Sequence, residues 1–476
     1  MRVVRRQSRT KIWGVLVVLL LLGVVGTVSY GGWRQSVAPP RVTNTAPRFL
    51  GHQTTFPVAI RASRGHLTSV EVRLVQGGKT ATIAKPDSMS LDRQVDLPVT
   101  VETSKLGFHE GAATIEVRAR DDFWRPLKPD ERPVATFPVT IDLTPPKVEI
   151  LASTQYVSPG GVCLVAFRVE GASRSELTVG KLAVPSFAMG PPEKGARVAL
   201  VPLAWDYAPG TPVAIRAEDE AGDVATRGIA FELKPRKFPR DRIEIRDSFL
   251  ELKVPELLPQ RPPSQPLLEG FLVINRDQRR EAEAQKRKIG SKTAPEPLWE
   301  GPFVQPRNTK VFANFAETRT YYYQGREIDS QVHYGFDLAS TKQSPVPAAN
   351  RGVVAFTGAL SIYGNAVVLD HGLGLQTLYG HLSSIEVKVG DKIAKGQELG
   401  RSGTTGLAIG DHIHYETLVN GISITPVEWW DAKWIRDRIN LPLKTAGLPE
   451  IKGLEGGTAS DGEPPRAPRP VRRRRA

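Results

Sequence analysis

Five side chains able to bind a metal or move a proton lie in one C-terminal stretch of the chain: His333, Asp337, His381, His412 and His414. Three such groups can hold a zinc ion while two histidines stay free to act on a bound substrate, the minimum equipment of a zinc hydrolase. His412-Ile-His414 carries the most geometric content. In an extended strand residues i and i+2 face the same way, so both imidazoles reach one site. His333 and Asp337 share the segment His333-Tyr-Gly-Phe-Asp337, and His381 sits in Tyr379-Gly-His-Leu. Alone, the first pair reads as a surface pair and the second as a packed loop histidine. Five of the eight histidines nevertheless fall between 333 and 414, in polar, glycine-rich turns.

Such a cluster needs a rigid scaffold. Gly352-Val-Val-Ala-Phe-Thr-Gly, Asn365-Ala-Val-Val-Leu-Asp-His-Gly and Gly374-Leu-Gln-Thr-Leu-Tyr-Gly-His predict an all-β domain with tight turns over 308–445. Within it the motifs His333-x-Gly335-x-Asp337, Pro345-Val-Pro-Ala, Gly364-Asn365, Asp370-His371-Gly372, Tyr379-Gly-His381-Leu, Val389-Gly-Asp-Lys-Ile-Ala-Lys-Gly-Gln, Gly403-Thr-Thr-Gly and Gly410-Asp-His412-Ile-His414-Tyr-Glu follow in order. Through these motifs residues 308–430 resemble the catalytic domain of lysostaphin-type, or LytM-like, peptidoglycan zinc endopeptidases. The resemblance implies zinc held by His333, Asp337 and His414, with a fourth position for water. Zinc lowers the pKa of such a water from about 15.7 towards about 7. The resemblance also makes His381 and His412 the free catalytic histidines. One would take the water's proton, and the other would bind the oxyanion or protonate the leaving amine. His371 matches a packed, structural position. Two departures stand out: Phe312-Ala-Asn-Phe-Ala-Glu-Thr-Arg replaces a Phe-Gly-x-Arg turn, and Asp411 replaces a common proline.

Upstream, alternating runs such as Thr55-Phe-Pro-Val-Ala-Ile-Arg and Ser69-Val-Glu-Val-Arg-Leu-Val predict β-sandwiches. Glu116-Val-Arg-Ala-Arg-Asp-Asp is echoed by Ala214-Ile-Arg-Ala-Glu-Asp-Glu-Ala-Gly, and Asp142-Leu-Thr-Pro-Pro marks a boundary. Two modules similar to the immunoglobulin fold are therefore expected at 40–144 and 145–236, spacing the catalytic domain from a membrane. Residues 237–307, rich in Pro, Arg, Lys and Glu, read as a connector with a helix over Leu268 to Lys288. That segment could brace the domains or act as a strap over the cleft. Residues 446–476 read as a disordered basic tail. The fold class expected is mainly β, two immunoglobulin-like sandwiches and an all-β LytM-like domain after one transmembrane helix.

The net charge of +14 resembles a nucleic-acid signal, but its distribution excludes one. Arg2, Arg5, Arg6, Arg9 and Lys11 at one end, and Arg466, Arg469 and Arg472 to Arg475 at the other, carry eleven of these charges and leave +3 between them. No basic face for a duplex follows. Residues 12–33 hold no charge and can cross a hydrocarbon layer roughly 30 Å thick. The basic segment 1–11 predicts a cytoplasmic N-terminus, with Trp13, Tyr30 and Trp33 as interfacial anchors. A cleaved signal peptide is the competing reading, although no Ala-x-Ala site follows the apolar run. Cys163, the one cysteine, precludes an internal disulfide and reads as a buried strand thiol.

These readings converge on a single-pass protein of the bacterial cell membrane with its catalytic domain in the periplasm or outside the cell. It would bind the inner or plasma membrane through its helix, take peptidoglycan as substrate, and meet divisome or wall-synthesis proteins as partners. The alternatives are a non-catalytic or autoinhibited wall-binding activator of a separate amidase, and an adhesin-like scaffold.

Overall fold

The computed structural model describes residues 9–87, 92–126, 132–306, 309–339 and 341–454. Arg2, Arg5, Arg6 and the arginines from 466 onward, expected in a cytoplasmic segment and a tail, lie outside the described residues. The chain forms two compact units. Among the described residues, one comprises those up to Pro146 with Gly171–Arg174 and Glu218–Ala225, and the other comprises the rest.

In the first unit, helix Arg9–Ser36 contains a stretch, Trp13–Ser36, long and apolar enough to cross a membrane; a signal sequence passes the same test. Beyond it a three-stranded sheet and a five-stranded sheet face each other. The alternating pattern explains why: Phe56, Val58 and Ile60 of Thr54–Arg61 point inward and meet Val70, Val72 and Leu74 of Leu67–Gln76 in one core.

Segment 147–236 contributes two further four-stranded sheets, and all of it but residues 171–174 and 218–225 belongs to the second unit rather than forming a free-standing spacer. Strand Val162–Glu170 is buried on both faces over residues 162–167. Val162, Leu164 and Ala166 share a core with Trp299, Phe303, Phe315, Trp429 and Ile435 of the C-terminal region. The continuous run Val-Cys-Leu-Val-Ala-Phe is the sequence mark of a strand covered on both sides. Cys163 is fully buried there, and burial pushes its thiol up to about 12. Thiol reagent at about pH 8 is expected to leave Cys163 intact in the folded protein and to modify one equivalent on unfolding. Rapid labelling under native conditions would contradict that burial.

The connector is part of the same unit. Strand Arg240–Ile245 pairs in parallel with Glu317–Tyr323, and helix Asp247–Leu257 follows. Helix Leu267–Val273 then runs through a π-turn, Ile274–Gln278, into helix Arg279–Gly290. Ile245, Leu250, Val254, Phe271, Ile274 and Ala282 pack on Tyr321, Ile362, Tyr363 and Leu378 in one core.

The C-terminal domain is built on an eight-stranded sheet with a three-stranded sheet beside it. It is not all-β. Short helices Pro426–Trp430, Ala432–Ile435 and Leu441–Thr445 close one side. Packing also runs past the boundary expected at 446, because Leu448 and Ile451 are buried and Asn440 bonds both the N–H and the C=O of Ile451.

Candidate metal centre and its cleft

Sheet register brings the five residues together. Strand Ile413–Val419 lies between Phe336–Ala339 and Leu375–Gly380. Asp337 pairs opposite His414 on one side, and Gly380 pairs opposite His414 on the other, which delivers His381 to the same place. His333 closes the adjoining strand Arg326–His333. His412 stands just before the central strand, held by a bridge to Gly403.

His333 Nε2, Asp337 Oδ1 and His414 Nδ1 form a triangle with edges of 3.0, 3.0 and 3.1 Å. Ligands about 2.0–2.1 Å from a tetrahedral ion lie about 3.3–3.4 Å apart, so a zinc-sized ion fits after slight spreading. The hydrogens on the two rings are committed elsewhere. His333 Nδ1 donates to Asn314 O at 2.9 Å, and His414 Nε2 donates to Glu416 Oε1 at 2.9 Å. With both rings neutral, two nitrogen lone pairs and a carboxylate oxygen face one another, an arrangement that a cation relieves.

The electrostatics agree with the donor set. Burial drives His333 down to about 4, keeping it neutral and able to ligate at neutral pH. Burial would raise Asp337, but the imidazoles of His333, His412 and His414 crowded against it hold its carboxyl well below the usual range. Burial would lower His414, yet hydrogen bonds to Asp337 and Glu416 outweigh it and raise that ring above its ordinary value. Arg319 Nη2 donates to Asp337 Oδ2 at 2.7 Å, which reserves Oδ1 for the triangle.

His381 and His412 stand beside the triangle with ring centroids 4.8 Å apart. His381 adopts φ +62°, a left-handed conformation unusual for a residue with a Cβ and of the kind that clusters at functional sites. Its Nδ1 donates to Thr405 O at 2.8 Å, and His412 Nδ1 donates to Gly410 O at 2.7 Å. Both Nε2 atoms therefore carry free lone pairs, and that of His412 lies 3.4 Å from Asp337 Oδ1. Burial, and the nearby His412 and His414, hold His381 well below the ordinary histidine value. His371 is packed: Nδ1 donates to Arg351 O, Nε2 meets Thr377 Oγ1, and burial lowers it to about 4.

Gly335 shows why the His-x-Gly-x-Asp spacing requires glycine. A Cβ there would lie 2.5 Å from Tyr415 O and 2.7 Å from His414 Nε2. Gly335→Ala must displace the His414–Glu416 pair, and metal affinity is expected to fall at least ~10-fold. An unchanged dissociation constant in a calorimetric titration would refute that. Asp411, the departure from proline, closes its loop by accepting from Ser402 Oγ at 2.5 Å and Gln343 N at 3.1 Å.

A cleft of about 870 Å³ opens on these residues, with Arg240, Ile243 and Phe249 of the connector in its wall. Phe312 and Ile409 also line it, and both are more than 70% exposed (78% and 73%). The sequence reading assigns no role to three residues in contact with the candidate site: Arg319, Glu416 and Lys286. Glu416 had a signal, because it continues the i+2 face of His412 and His414. Lys286 had only a faint one, the four-residue spacing of Ala282, Lys286 and Gly290 on an otherwise polar helix.

Comparison with known proteins is informative at this site. Residues 331–426 match the model of Peptidase family M23. The DD-carboxypeptidase/endopeptidase Mpg of Neisseria meningitidis serogroup B is 40% identical over 97 residues, covering 20% of this chain and 22% of that protein. Peptidoglycan DD-endopeptidase ShyA of Vibrio cholerae is 45% identical over 89 residues, covering 19% and 21%. The matched stretch thus spans about a fifth of these relatives. Among solved structures, the catalytic domain of lysostaphin from Staphylococcus simulans aligns with 30% identity over 26% of this chain and 92% of that one, with a TM-score of 0.22.

Proposed function

The C-terminal region of this chain belongs to peptidase family M23, and from that premise we propose that the protein is a membrane-anchored zinc endopeptidase that cuts peptide bonds in peptidoglycan cross-bridges or stems. The observation that carries the reading is the triangle of His333 Nε2, Asp337 Oδ1 and His414 Nδ1 beside two histidines whose Nε2 atoms are free. Bound there, zinc would supply a Lewis acid and a water acidic enough to attack at neutral pH. His381 and His412 enter the reaction as proton acceptors, because each Nδ1–H is spent on a backbone carbonyl. The ring that takes the water's proton becomes an imidazolium, able to donate to the tetrahedral oxyanion or to the departing amine. The bond broken is C–N, and the products are a carboxylate and an amine. The names of the two relatives make a D,D cross-link the first bond to test. Helix Trp13–Ser36 would hold the enzyme at the membrane.

The activator alternative is favoured less, because all five residues that the reaction needs are present and brought to one site here. The test is digestion of purified peptidoglycan by the detergent-solubilised full chain loaded with zinc, with mass analysis of the fragments. New amine termini, made by the wild type and not by His381→Ala, are the expected result. Intact peptidoglycan after incubation with a chain holding one zinc would overturn the enzyme reading.

A further inference from the structure

We propose that Lys286, on the connector helix Arg279–Gly290 outside the family-matched stretch, is a positioning residue of the metal centre. It fixes Glu416 so that His414 presents Nδ1 to the metal. The inference rests on His333, Asp337 and His414 being the metal site.

Lys286 is 2% exposed, and its ammonium lies 2.8 Å from Glu416 Oε2, 2.8 Å from Glu283 Oε1, 2.9 Å from Tyr363 Oη and 3.1 Å from Ser423 Oγ. Ser423 Oγ adds a second donor to Glu416 Oε2 at 2.7 Å. With Oε2 occupied, Oε1 is left for His414 Nε2–H, and that bond determines which ring nitrogen faces Asp337 and His333. A cation this deep in a protein is tolerated only when paired, and two carboxylates pair it here. The docking of the helix is equally specific. A Cβ on Gly290 would lie 2.3 Å from Gly421 N, and one on Gly421 would lie 2.5 Å from Arg287 Cα. Two glycines thus let the helix backbone approach the Asn420–Gly421 turn, which closes the strand carrying His414 and Glu416. The polar helix that reads as a linker therefore supplies the outer support of one ligand.

The experiment is a double-mutant cycle on the full chain, read as zinc dissociation constants by chelator competition. Lys286→Met in the wild-type background is expected to weaken zinc about 10–100-fold, the range typical of outer supports of metal ligands. In a Glu416→Gln background the same change should matter less than about threefold, because Lys286 acts through Glu416. Equal losses in both backgrounds, or no loss in either, would overturn the proposal. If Lys286→Met alone does not fold, Lys286→Arg, which keeps a cation beside the two carboxylates but moves its donors, replaces it in both backgrounds, and the same two outcomes decide. His414→Ala is the control. Wild-type zinc affinity in that variant would mean that the metal-site reading has failed, independently of Lys286.

Discussion

His414→Ala is expected to fold, to lose its zinc on dialysis and to release no peptidoglycan fragments. His414 is the hub of the site. Its Nδ1 forms two edges of the ligand triangle, and its strand pairs with both Phe336–Ala339 and Leu375–Gly380. Removing the ring leaves two ligands where three were, which should weaken zinc by more than the ~100-fold upper end seen for outer-shell changes. Without the metal no acidic water forms, and hydrolysis should fall at least ~10³-fold. The backbone ladder is untouched, and Glu416 keeps Lys286 and Ser423 as donors, so the fold is expected to persist. Metal analysis after dialysis, with circular dichroism on the same sample, is the check. One retained equivalent of zinc would sink the ligand assignment.

His381→Ala should separate chemistry from metal binding. The ring makes no edge of the triangle, so one zinc should remain while turnover drops by about 10²–10⁴-fold, the range for loss of a positioned acid or base. The strained backbone is not a confounding effect, because alanine at φ +62° carries the same Cβ that histidine does. A pH profile adds a signed expectation. Burial and the neighbouring histidines hold His381 below the ordinary histidine pKa, so it stays neutral as the pH falls through about 6.5 and protonates only in more acid solution. The acid limb of kcat/KM assigned to this residue should therefore lie below about 6.5. Loss of zinc from His381→Ala, or undiminished cleavage by it, would reject the role.

Much of the site was legible because it depends on local geometry. The i+2 spacing of His412 and His414 puts both rings on one face in any extended strand, and glycine at 335 is the residue type that lets two strands approach there. The charge-free run before residue 34 and the buried strand around Cys163 likewise follow from composition and period. Other features depend on which distant segments meet, and no local pattern encodes that. The ladder register, not spacing, sets Asp337 and Gly380 on either side of His414. Segment 145–236 looked like a free module because one face of a sandwich strand reads the same whether it meets its own partner sheet or, as here, Trp299 and Phe315. The helix bearing Lys286 looked like a linker because its buried face is only Ala282, Lys286 and Gly290. By itself, then, the sequence determined which groups could do chemistry and the strands that carry them, since both follow from residue type and period. Tertiary structure alone decided what supports the centre, because a buried lysine is stable only where folding has brought two carboxylates to meet it.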